Sequence, residues 1–320
     1  MKRFIHLAVP MLLLSVSQAA LSQAQYPNKP VVVVSPLGSG GAVELVGRAV
    51  TQIVGERLGH SFVIDPRTGA GGTIGYDLVA KAKPDGYTLS LAGSGYTVSP
   101  ALYSIRYDPV NDLTPISQMT LGAYLLIANP ALPVNSLKEL IALAKQKPGA
   151  LNYASTGGGS IHFATEALAE AAGIKLTHIP YKNLGQGYVD LIAGQVHLMM
   201  SNAISATPHV KTGKAKALAV TSPKRVPSMP EVATVAESGV PGFEAYIWTG
   251  ILAPAKIPSD ILLKLNAEVV RVVNDPAFLA RYAADAGVPI LPLAEFKESI
   301  KQEIETNKRI AQTAKIKLEN

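Results

Sequence analysis

Two glycine-rich turns carry the residues in this chain best suited to holding a small anion. One reads Ser35-Pro36-Leu37-Gly38-Ser39-Gly40-Gly41 and the other Ser155-Thr156-Gly157-Gly158-Gly159-Ser160. Each follows a strand-like run and precedes a helical pattern. Glycine lets a ligand approach bare main-chain amides, and the helix N-terminus behind it contributes roughly half a positive charge. Ser39, Ser155, Thr156 and Ser160 add hydroxyl donors, so one carboxylate could be held without any arginine in direct contact. A single such turn need mean no more than a tight strand-to-helix connection. Two of them, in separate halves of the chain, point to binding.

Other chemistries do not fit the residues. Gly38-Ser39-Gly40-Gly41-Ala42-Val43 has valine where a dinucleotide fingerprint needs a third glycine or alanine, and Gly69-Ala70-Gly71-Gly72-Thr73-Ile74 fails at the same place. No phosphate-binding loop ends in Gly-Lys-Ser/Thr. Ala92-Gly93-Ser94-Gly95-Tyr96 lacks the glycine two residues before the serine that a nucleophile elbow requires, which leaves Ser94 as a turn or pocket residue. His60, His162, His178, His197 and His209 never fall at the spacing of a zinc pair on one helix. The expectation is therefore no cofactor, no metal and no catalytic residue. With no cysteine, disulfides and thiolate chemistry are excluded. The formal charge of +6 is spread without the basic runs of a nucleic-acid binder and mildly favours anionic ligands.

The elements that must position these turns read as an α/β protein with mainly parallel sheets, because short β-branched runs alternate with longer helical patterns. Strands are expected at Val31–Val34, Phe62–Ile64, Tyr87–Leu91, Leu125–Ala128, Leu151–Ala154, Leu176–Ile179, His197–Met200, Ala217–Val220 and Trp248–Leu252. Helices are expected at Val43–Leu58, Ile74–Ala82, Leu137–Lys147, Ile161–Ala171, Leu184–Ala193 and Ile261–Val273, with a final amphipathic stretch over Glu295–Lys317. Ser136 and Glu139 form a capping box, and Pro258 sits where a helix would begin. No internal sequence repeat is visible. Trp248 and Tyr246 belong either on the far wall of a pocket or in the core.

The first residues set the compartment. Lys2 and Arg3, the apolar run Leu7–Leu14 and Ser22-Gln23-Ala24 read as a secretory signal peptide removed after about Ala24. The apolar run is too short to cross a bilayer, which needs ~20 apolar residues. The expected product is exported and does not span the membrane.

Several motifs in order resemble one family. They are Tyr26-Pro27, Pro30 leading into Val31–Val34, Gly40-Gly41 with Arg48, Gly69-Ala70-Gly71-Gly72-Thr73-Ile74-Gly75 and Pro84-Asp85-Gly86-Tyr87-Thr88-Leu89. They continue through Leu151-Asn152-Tyr153-Ala154-Ser155, His178-Ile179-Pro180-Tyr181-Lys182, Asp190-Leu191-Ile192-Ala193-Gly194-Gln195, Ala217-Leu218-Ala219-Val220-Thr221-Ser222 and Glu237-Ser238-Gly239. Together these resemble the Bug-type periplasmic receptors of the tripartite tricarboxylate transporter family.

That resemblance implies a periplasmic-binding-protein type II (Venus flytrap) fold of two α/β domains around a cleft. Residues 25–122 and 245–320 would form the first domain and 123–244 the second. It implies a small carboxylate as ligand and the membrane subunits of a tripartite tricarboxylate-type transporter as partners. Carried to matching positions, the ligand site comprises Leu37, Gly38, Ser39, Gly40 and Gly41 in one domain and Ser155, Thr156, Gly157, Gly158, Gly159 and Ser160 in the other, with Ser94 and Asn202 at strand ends facing the cleft. The chain departs from the family pattern in having Leu37 for phenylalanine, Glu44 for aspartate, Asn183 for glycine and Phe163 for the leucine after His162. Glu44 is as well placed for a helix-surface ion pair with Arg48, and His162 is left out of the site. Two other readings are an exported hydrolase using the same cleft and a receptor that passes its bound state to a signalling partner.

Overall fold

The computed structural model describes residues 26–37, 42–181, 184–282 and 290–316. The signal-peptide reading and its cleavage site lie outside them. So do Gly38, Ser39, Gly40 and Gly41 of the first turn, and Lys182 and Asn183.

The first lobe begins β1 (Val31–Ser35), α1 (Ala42–Leu58), β2 (Phe62–Pro66), α2 (Thr73–Ala80), β3 (Thr88–Gly93) and α3 (Gly95–Leu102). The long strand β4 (Leu113–Ala128) carries the chain into the second lobe. There follow α4 (Leu137–Gln146), β5 (Asn152–Thr156), α5 (Ser160–Ala172), β6 (Thr177–Tyr181), α6 (Leu184–Ile192), β7 (Leu198–Asn202), α7 (Ala203–Lys211) and β8 (Lys216–Val220). The return strand β9 (Tyr246–Pro254) leads to α8 (Ser259–Val273), α9 (Pro276–Tyr282) and α10 (Leu293–Thr313).

Strand order runs β2-β1-β3-β9-β4-β7-β5-β6, with β8 also on β4. In both lobes the strand preceding a glycine-rich turn is flanked by its successors: β1 lies between β2 and β3, and β5 between β6 and β7, all parallel. The lobes thus repeat one arrangement that no sequence repeat discloses. Sheets are less uniformly parallel than the sequence predicts, because β4 runs antiparallel to β7, β8 and β9, and β9 antiparallel to β3. Strands that cross between lobes and return reverse direction, whereas strands linked by a helix need not.

β4 changes partners at one point. Leu113 to Ala123 pair with Pro254 to Tyr246 of β9, and from Tyr124 onward the strand pairs with β7. The two-lobed type II architecture follows from this hand-over.

Burial follows the helical periodicities. Val46, Val50 and Val54 recur every four residues on α1 and are at most 6% exposed, each worth about 1.5–3 kcal/mol in burial. Between them Gly47 admits Leu91, whose Cδ1 lies 2.5 Å from where a Cβ would stand. The Ser136–Glu139 box forms on its first half: Glu139 N donates to Ser136 Oγ at 3.2 Å, while the Glu139 carboxylate accepts from Asn135 N. Val98, Phe163, Ile310 and Ala311 make a small apolar cluster joining α3, α5 and α10 across the two lobes. α3, α7 and α9, absent from the sequence reading, are short, and α3 and α7 each contain a proline.

Candidate functional site

The second turn, and the described start of the first at Pro36 and Leu37, follow the carboxyl ends of β5 and β1, each the strand in its lobe whose successors lie on opposite sides. In an open α/β sheet that is where ligands bind.

In the first lobe, the Gly69–Gly75 motif makes room for the chain leaving β1. A Cβ at Gly72 would come within 3.0 Å of Leu37 Cδ2, and one at Gly75 within 2.9 Å of Pro36 Cβ. Cβ positions at Gly93 and Gly95 would lie 4.0 and 3.9 Å from Leu37 Cδ1. Leu37 is therefore where the ends of β1 and β3 and the turn before α2 converge, and it remains 39% exposed. Glu44 accepts from Arg48 on the same helix, but its carboxylate is buried while Arg48 is exposed, so the pair differs from the helix-surface one the sequence suggested.

Ser94 is buried. Its amide donates to Trp248 O at 3.2 Å and its Oγ accepts from Trp248 N at 2.9 Å, which prolongs the β3–β9 pairing by one residue. Trp248 itself is core, with Nε1 donating to Glu303.

The second turn is built more tightly than a loop of free amides. Ser155 is fully buried, with Oγ 2.8 Å from His178 Nε2. Gly158, in the left-handed region at φ 69, donates its amide to His162 Nδ1 at 3.2 Å. Gly159 donates to Thr156 O at 3.1 Å, and a Cβ there would lie 2.6 Å from Thr156 Oγ1. Gly157, Ser160 and Ile161 keep amides with no partner among the described residues, and no side chain caps α5. Those three amides, backed by a helix of 13 residues, are the ones available to an anion.

Asn202 caps α7, its Oδ1 accepting from Ser205 N at 2.7 Å, while its amide group has no partner among the described residues. It stands opposite Tyr124 in the β4–β7 register.

Tyr124 was not singled out by the sequence, and it joins the lobes. Burial holds its hydroxyl well above the usual tyrosine range, against smaller lowering effects from Ser160 of the second lobe and Ser94 of the first. A cavity of about 550 Å³ opens here, lined by Ser94, Thr97, Tyr124, Ser160, Phe163 and Glu303, among others. Burial pushes the Glu303 carboxyl up to about 7, against hydrogen bonds from Trp248 Nε1 and Thr97 Oγ1 that lower it. Only the strand pattern around Leu125 could have hinted at Tyr124, one residue outside the expected span.

Beneath the second turn, the His162 and His178 rings stack at 3.9 Å. Burial first, and then the neighbouring His178, push His162 down to about 4. Ser155 and His178 have the spacing of a nucleophile and base, yet Ser155 has no accessible surface and could not reach a substrate. Among the described residues no group of three or more His, Cys, Asp or Glu side chains could hold a metal ion.

A model of the tripartite tricarboxylate transporter family receptor, TctC, matches residues 46–315. The chain belongs to this receptor family. Similar proteins include Protein BugT of Bordetella pertussis, 34% identical over 277 residues covering 85% of each chain. Among solved structures, R. palustris Rpa4515 with adipate has a TM-score of 0.78 at 32% identity, covering 91% of this chain and 99% of that one. MatC from Rhodopseudomonas palustris with bound malate has a TM-score of 0.74 at 30% identity, covering 89% and 99%. Family members are periplasmic solute-binding receptors. No helix among the described residues is long and apolar enough to cross a membrane.

Proposed function

We propose that this TctC-family receptor captures a small carboxylate between its lobes and delivers it to the membrane subunits of a tripartite tricarboxylate-type transporter, without chemical turnover. The carrying observation is that β1 and β5, the strands leading into the two glycine-rich sequences, occupy equivalent switch points, one per lobe, and that the second turn presents amides at Gly157, Ser160 and Ile161 with no partner among the described residues at the positive end of α5. The relatives with adipate and malate support the ligand class. The ligand site would comprise Leu37, Gly38, Ser39, Gly40, Gly41, Ser94, Ser155, Thr156, Gly157, Gly158, Gly159, Ser160 and Asn202. Within it Ser155 and Gly158 act by shaping the turn, since their polar groups are engaged inside the protein.

The partner change of β4 at Ala123–Tyr124 supports a boundary near residue 122, with the return near 245. Closure about this boundary would bring both turns onto one ligand, and the ligand would shift the balance only through tighter binding to the closed state. Export by the N-terminal segment places the receptor in the periplasm. Titration calorimetry of ligand-free protein against malate, adipate and a wider carboxylate panel tests the reading. Saturable binding without consumption of the ligand is expected, and indifference to every small carboxylate would overturn it.

A further inference from the structure

The stacked histidines beneath the second turn have no part in holding the ligand directly, yet one of them takes up an amide of that turn. Gly158 N–H donates to His162 Nδ1, so Nδ1 carries no proton and the ring is neutral with its proton on Nε2. The ring is fixed from three sides. It stacks on His178 at 3.9 Å, lies 6.0 Å from Tyr153 and 6.2 Å from Phe163, and is 7% exposed. His178 is in turn held to Ser155 in the strand that ends in the turn, and Tyr153 donates to Glu166 one turn further along α5.

We propose that His162 is the positioning residue of the anion cradle: its neutral Nδ1 holds Gly158 in the left-handed conformation that leaves the Gly157, Ser160 and Ile161 amides without internal partners. The proposal rests on the second turn being the carboxylate site. A left-handed glycine is free to leave that region when nothing holds it; besides the Gly159 amide on Thr156 O, the turn has no side-chain cap to hold it. Protonated His162 has no lone pair at Nδ1, so it cannot accept the Gly158 proton. The titratable groups facing it are His178 and Tyr153, with Glu166 bonded to Tyr153. Its burial and its histidine neighbour keep the ring neutral at ordinary pH, and the hold is lost as pH falls toward 4.

The test compares His162→Asn, whose Oδ1 stands at the same bond distance from the backbone as Nδ1 and can accept, with His162→Phe, which keeps the stacking ring but cannot. Amide exchange by NMR, on ligand-free protein, reads the hold itself. Gly158 is expected to be protected in the native protein and in His162→Asn, and to exchange faster in His162→Phe. Calorimetry with malate and adipate reads the consequence: an affinity loss of about tenfold in His162→Phe, the worth of one net hydrogen bond, recovered within about threefold in His162→Asn. Below pH 5 both proteins lose affinity as the ligand carboxylates take up protons, and the native protein should lose more than His162→Asn. Equal Gly158 exchange in all three proteins, or unchanged affinity in His162→Phe, would overturn the proposal. Native protein that binds neither acid would count against the receptor reading, and the exchange comparison would still decide what His162 does.

Discussion

Gly157 offers a substitution whose effects on stability and binding should have opposite signs. A Cβ at this position would meet only Pro180 Cβ, at 3.9 Å, an ordinary contact. Its φ is not in the left-handed region, unlike that of Gly158. Gly157→Ala should therefore be neutral to stabilising by about 0.4–1 kcal/mol, through the smaller entropy of the unfolded chain. Gly157→Asp adds a carboxylate at the start of α5, where negative charge stabilises a helix by about 0.3–1 kcal/mol. That same charge would sit on the proposed anion site. At a separation of about 5 Å and an effective dielectric of about 20, like charges repel by roughly 3 kcal/mol, more than a hundredfold in affinity. Screening by solvent in an open cleft reduces this, so a loss between about tenfold and a hundredfold is expected. Thermal denaturation and calorimetry with malate and adipate measure the two effects on the same samples. Gly157→Asp that binds within about threefold of the native protein would refute the assignment of this turn, whatever its melting temperature.

Two further outcomes follow from the geometry. Glu303 has a folded-state pKa raised from 4.5 to about 7, so the stability tied to its proton is fully present below pH 4.5 and lost as pH rises through 7; native stability should drop by at most about 3 kcal/mol across that window, and denaturant titrations of Glu303→Gln should lack the drop. A Cβ at Gly159 would stand 2.6 Å from Thr156 Oγ1, so Gly159→Ala should cost about 1–3 kcal/mol in chemical denaturation, and Thr156→Ala in the same chain should recover most of it.

Much of the element list was legible because it rests on local pattern. The first strand was expected at Val31–Val34 and runs Val31–Ser35, and α1 was expected from Val43 and begins at Ala42. Both signals are runs of β-branched or periodic apolar residues that each segment carries by itself. α3 and α7 escaped because each is short and interrupted by proline, at Pro100 and Pro208, which weakens the propensity signal while tertiary contacts still supply a place to pack. The antiparallel course of β4 and β9 escaped because direction within a sheet depends on which strand lies alongside.

For the site, sequence alone determined that two glycine turns precede helices and that no cofactor motif accompanies them, since both statements concern residue types at short spacing. Tertiary structure alone decided that β1 and β5, the strands leading into the turns, hold equivalent places in their lobes, that Tyr124 shares a cavity with Ser94 and Ser160, and that His162 stacks on His178. The physical reason is reach. A hydrogen bond or a ring stack extends 3 to 4 Å through space, and Ser94 and Trp248, or His162 on α5 and His178 on β6, are brought that near only by the pairing and packing of separate elements.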